Sequence, residues 1–269
     1  MSVVLSLIGF TGIYEQNGID LDYNSLMIFC LVWGMVGSFI SLYLSKWITK
    51  KMGGIQIIKQ PSNEFEKWYV SIVEKHAKIL DMKTPEIGIL PSDAPNAFAT
   101  GASRNSSLVV LSTGLVNKMN RNEVEAVIGH EMSHASNGDM VTLALIQGIV
   151  NSFVFFFAFV VAHFISRVIF RDSRGGGFWI QFFIRQFLIV FFSILASPII
   201  FWFSRRREFR ADFGGAQLAG KQNMISALNV LQKNTAAKLP DQMVAFGISN
   251  KGQSSTLKKL FSTHPPLSE

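Results

Sequence analysis

The chain reads as a mainly helical α+β integral membrane protein, and three observations carry that reading. Three apolar runs are long enough to cross a bilayer, and the stretches between them mix helical and strand periodicities. Only 16% of the 269 residues are charged, where a soluble domain has about a quarter. The 24 phenylalanines and a mean hydropathy of +0.30 say the same: much apolar surface faces something other than a core surrounded by water. A disordered or fibrous chain is excluded. With Cys30 as the single cysteine, neither an intramolecular disulfide nor a multi-cysteine metal site can form, so any metal must use His, Asp or Glu. The net charge of +7 would suit nucleic acid, but the dense basic clusters flank apolar runs and read as topology signals instead. No nucleic-acid partner is expected.

Residues 1–10 are apolar but too short to span, and a polar stretch containing Gly12, Glu15 and Asp20 follows. With no basic start and no small-residue cleavage site they fit a signal peptide poorly and read as the stub of a further transmembrane helix. Residues 25–44 are 20 uncharged residues, about what a helix rising 1.5 Å per residue needs to cross roughly 30 Å of hydrocarbon. Lys46, Trp47, Lys50 and Lys51 come next, which puts that end in the cytosol. The soluble part then predicts a helix over 64–80, strands over 86–90 and 107–112, and a loop at Pro91, Asp93 and Pro95 between them. Asn122 with Glu125 three residues on predicts the start of a helix running to about Ala135. A second span follows Val141, and a tip with Arg171, Asp172, Arg174 and three glycines follows that. Residues 178–203 form the third span, with Arg185 placed to snorkel and Pro198 placed to kink. Arg205, Arg206 and Arg207 close it on the cytosolic side. The predicted organisation is an N-terminal stub and loop (1–24), a transmembrane helix (25–44), the first part of a domain outside the membrane (45–140), a transmembrane hairpin (141–203) and the second part of that domain (204–269).

Chemistry concentrates in the predicted helix. His130-Glu131-Met132-Ser133-His134 is an HExxH pattern, and its four-residue step sets both imidazoles on one face, one turn apart, where two neutral nitrogens can grip one Zn²⁺. Glu131 beside the first histidine can take a proton from a water at the metal. A catalytic zinc wants a third protein ligand and an open position. Glu208, in a helical stretch after the last span, either supplies that ligand or balances Arg205–Arg207 as a surface carboxylate, and spacing alone leaves both open. Asp212 shares its face and could orient a ligand from behind. His76 in an amphipathic helix and His163 in a span read as structural.

HExxH entering an apolar hairpin, then SRRREFRAD, with PNAFATG upstream and THPPL near the end, resembles the HtpX family of bacterial membrane-bound zinc metalloproteases over nearly the whole chain. The resemblance implies a cytosolic zincin-like (HExxH) metalloprotease domain. Its one Zn²⁺ would be held by His130, His134 and Glu208, with Glu131 as catalytic base and Asp212 as the supporting acid of an ExxxD motif. Asn96, Ala97, Phe98 and Ala99 would form an exposed strand edge that binds extended substrate through the main chain. His264 would either donate a hydrogen bond to the oxyanion or fix a loop. The implied activity is broad cleavage of misfolded or damaged membrane proteins in stress-linked quality control at the bacterial inner membrane. The family opens with a complete transmembrane helix and continues past HPPL with a short Arg-containing helix. The stub and the end at Glu269 therefore lead us to expect a fragment or short-drawn ends with the zinc site retained. Two other classes compete: a scaffold or inactive fragment that binds unfolded segments without cutting, and a metal transporter. The transporter would need ionisable residues inside the spans, where Arg185 and His163 are nearly alone.

Overall fold

Residues 21–169 and 177–236 are described by the computed structural model of the chain, and they divide into two units. The N-terminal stub, the Gly-rich tip and His264 lie outside them.

The first unit combines residues up to Ser41 with Leu143–Ile200 and holds most of the apolar length. It holds most of the length of three helices, α1 (Tyr23–Met52), α5 (Asp139–Ile169) and α6 (Gly177–Ala219), each long and apolar enough to cross a membrane; the last turns of α1, the start of α5 and α6 from Phe201 belong to the second unit. Small and aromatic residues pack them. Leu26 and Cys30 of α1 sit against Phe155, Phe156 and Phe159 of α5, and Ala158 and Ala162 meet Leu188 of α6. Outward, Trp33, Phe153, Phe157 and Phe187 are exposed, an apolar surface suited to lipid and costly in water. Arg185 does more than snorkel: its guanidinium stacks 4.6 Å from the Phe159 ring centroid, a cation–π contact that shelters the charge within the span.

The second unit spans Leu42–Thr142 and resumes at Phe201. Its sheet contains β1 (Gln56–Ile57), β2 (Glu86–Leu90), β3 (Ala97–Ser103) and β4 (Ser106–Ser112) in the order β1-β2-β4-β3. Only the β2/β4 pair is parallel. Strand β3 is thus a sheet edge, and β4 is central and buried from Ser107 onward. Helices α2 (Glu64–Ile79), α3 (Thr113–Lys118), α4 (Arg121–Asn137) and α7 (Lys221–Ala236) complete the unit. The core joins Tyr69 and Val73 of α2, Val109 and Leu111 of β4, Ile128 and Met132 of α4, and Met224 and Ala227 of α7. Lys46 and Lys50, expected only as topology signals, also pair with Glu86, fastening the end of α1 to β2.

The cap of helix α4 is Asn120, two residues before the expected Asn122. Asn120 Oδ1 accepts from the Glu123 amide at 3.0 Å, and Glu123 Oε2 accepts from the Asn120 amide at 2.9 Å. This reciprocal pair satisfies two orphan donors at once. At the other end Gly138 takes φ 68°, a left-handed conformation that favours glycine, and the chain turns directly into α5. The larger departure is in α6, which does not stop at the triple arginine but continues as one helix to Ala219. The ExxxD segment is therefore helical without a break after the triple arginine.

Candidate metal centre

Two helices build the site. On α4, His130 and His134 stand one turn apart with their Nε2 atoms 3.1 Å from each other. From α6, the buried Glu208 presents Oε2 3.5 Å from His130 Nε2 and Oε1 3.6 Å from His134 Nε2. Tetrahedral ligands about 2.0–2.1 Å from a zinc ion lie roughly 3.3–3.4 Å apart, so these separations fit a small tetrahedral metal. All three ligand atoms fall within 4.8 Å of one another. The donor set of two imidazoles and a carboxylate also suits zinc and leaves a fourth position open.

Close approach of α4 and α6 depends on glycine. A Cβ on Gly215 would stand 3.0 Å from the His130 amide nitrogen, and one on Gly214 would stand 2.3 Å from Ser133 Oγ. Two adjacent glycines inside a helix cost about 1 kcal/mol each relative to alanine. Here they let the helix carrying Glu208 lie directly against the one carrying the histidines. Sequence reasoning passed over Gly214-Gly215, although an unbroken helical pattern containing paired glycines is a sign of such an approach.

The back of each imidazole faces an acid. Asp212 Oδ1 lies 2.8 Å from His130 Nδ1, and Asp139 Oδ2 lies 2.6 Å from His134 Nδ1. Asp139 was missed in the sequence because it follows the helix-ending Gly138 and belongs to no spaced motif. Both rings thus direct Nε2 inward. Burial opposes charge on His130, but Asp212 and Glu208 outweigh it and push that imidazole up to about 10. Burial opposes charge on His134 too, and there Asp139 and Glu208 prevail, again raising it. A metal entering the site therefore displaces protons.

Strand β3 borders this centre. Asn96 has both backbone groups committed inward: its carbonyl accepts from the Ser112 amide and its amide donates to Ser112 Oγ. Alternation along an antiparallel pair turns Phe98 toward β4 as well, and leaves Ala97 and Ala99 facing the free edge. The Ala99 amide donates to Glu131 Oε2 at 2.9 Å, so the edge and the HExxH carboxylate adjoin. Of the other histidines, His76 is fully buried in the core of the second unit and His163 is buried in the first.

A family model described as Peptidase family M48 matches residues 63–269. The chain belongs to that family. Two similar M48 relatives are both named Protease HtpX: that of Thioalkalivibrio sulfidiphilus is 52% identical over 272 residues, and that of Nitrosococcus oceani 49% over 271. Each alignment covers 100% of this chain and 91% of the relative. Among solved structures, the crystal structure of S. mikatae Ste24p matches with a TM-score of 0.66 at 19% identity, a likeness of fold. The match covers 90% of this chain and 57% of the length of Ste24p. M48 membership and three apolar helices make the chain a membrane-bound metalloprotease with a mainly helical α+β fold.

Proposed function

We propose that the chain is a zinc-dependent endopeptidase, with one Zn²⁺ per chain, that cleaves unfolded or damaged membrane proteins with little sequence preference. The observation that carries the zinc reading is the convergence of His130 Nε2, His134 Nε2 and the Glu208 carboxylate, one of whose oxygens lies 3.5 Å from His130 Nε2 and the other 3.6 Å from His134 Nε2. When bound there, zinc supplies Lewis-acid chemistry that polarises a carbonyl and acidifies water.

The chain's own residues do the rest. Glu131 takes the proton of the attacking water and passes it to the leaving amine. The Ala99 amide holds Oε2 of that carboxylate, leaving Oε1 as the second acceptor oxygen. Ala97 and the Ala99 carbonyl offer main-chain groups to an extended substrate strand, and recognition of backbone rather than side chains supports broad specificity. The basic end of α1, at Lys46, Lys50 and Lys51, and the Arg205–Arg207 run that follows the third apolar stretch within α6 support a site on the cytosolic face of a bacterial inner membrane, where substrates in stress-linked quality control would be met.

The experiment is zinc content and cleavage of casein by the purified, detergent-solubilised chain beside Glu131→Gln. Stoichiometric zinc in both with cleavage only in the parent is expected. Cleavage by a zinc-replete Glu131→Gln chain would remove Glu131 as the base, and zinc without cleavage in either would favour a scaffold.

A further inference from the structure

The two acids behind the imidazoles are not equivalent. The Asp212 side chain is 25% exposed, with its Oδ1 2.8 Å from His130 Nδ1. The Asp139 side chain is 3% exposed and is hydrogen-bonded to His134 Nδ1. A carboxylate interacts more strongly with its partner when water is excluded, because the local dielectric is lower.

Asp139 is also the better anchored of the two. It opens α5, where the positive end of the helix dipole favours a carboxylate. The left-handed Gly138 fixes the direction in which the chain leaves α4. Arg207 Nη1 on α6 donates to the Asp139 carbonyl at 3.0 Å. Arg207 immediately precedes Glu208, so one hydrogen bond ties the backbone beside the third candidate ligand to the residue that holds the second.

We propose that Asp139, ahead of the motif acid Asp212, is the principal positioning residue of the metal centre. By accepting from Nδ1–H of His134 it keeps the proton on that nitrogen and the lone pair of Nε2 toward the metal, and it fixes the ring's rotation. Arg207 secures the turn through the Asp139 backbone, so replacing the Asp139 side chain leaves that tie in place. The inference rests on reading His130, His134 and Glu208 as a zinc site.

The test is zinc affinity by competition with a chromophoric chelator, using the full chain in detergent micelles. Parent, Asp139→Ala, Asp139→Asn and Asp212→Ala are compared, each with a melting midpoint for the metal-free form. Asp139→Ala should weaken zinc binding about 10- to 100-fold, Asp212→Ala should weaken it less, and Asp139→Asn, which keeps an acceptor and the shape, should lie between parent and Asp139→Ala. The metal-free melting midpoints should stay near that of the parent, since the effect is on ligand orientation.

Parent-like zinc affinity in Asp139→Ala, or a larger loss in Asp212→Ala, would overturn the proposal. So would a fall in the metal-free midpoint large enough to account for the lost affinity. If Asp139→Ala does not fold, the same comparison between Asp139→Asn and Asp212→Asn decides the order. A parent that takes up no zinc overturns the underlying zinc reading, and the parent's own titration separates that failure from the others.

Discussion

Helices α4 and α5 adjoin at Gly138 and are stabilised by opposite means. Helix α4 has a reciprocal cap at Asn120 and Glu123, a left-handed glycine at its end, and a buried apolar face with Val124, Ile128 and Met132. Helix α5 exposes Leu145, Ile149, Phe153 and Phe157 at four-residue steps, a continuous apolar stripe turned outward. In water a helix must satisfy its ends and bury one face. In hydrocarbon the intrahelical ladder is itself the low-energy arrangement, and the outward face must be apolar. The same secondary structure thus arises from one-sided burial in one helix and from a uniform apolar surface in the other.

The largest expected contrast is between two truncations. Met132→Ala removes a fully buried side chain of α4 and should cost about 2–5 kcal/mol. Phe153→Ala, at a position 49% exposed on α5, should change stability by only about 0.5 kcal/mol. Melting midpoints in detergent measure both, and equal losses would break the contrast. A second substitution probes the helix crossing. Gly215→Val forces a branched side chain against the His130 backbone and should cost about 1–3 kcal/mol. Zinc affinity should fall with it, because Glu208 recedes from the histidines, and an unchanged zinc titration would deny that the glycine contact sets the site.

The smallest effect concerns His76, which separates structural from site histidines. Burial lowers its pKa, while Glu125 at 3.4 Å works the other way and Lys75 adds to the lowering. Its folded pKa lies below the unfolded value near 6.5, so the unfolded chain binds the proton first. Stability from the neutral ring is complete above about pH 6.5 and is lost as pH falls toward the folded pKa. Replacing His76 with Leu should flatten the melting midpoint between pH 6.5 and 5.5, and an unchanged slope would assign the acid sensitivity elsewhere.

The sequence by itself determined the membrane character and part of the regular structure, because both rest on periodicity and length, whereas β1, α3 and α7 carried no pattern that was read. The strand at Glu86–Leu90 and the helix from Glu64 lie where alternation and amphipathicity put them, and the three apolar runs appear as long helices. The pairing of His130 with His134 was legible for the same reason, since a four-residue step is a local property of a helix. The third partner was not. Spacing left Glu208 undecided until family resemblance weighed in, and only the tertiary structure brings its carboxylate 3.5 Å from His130, which lies 78 positions earlier in the chain. Asp139 behind His134, the Arg207 tie and the Ala99 amide on Glu131 share that character. Each is a contact between elements, decided by how whole surfaces pack, and no local pattern of residues encodes it.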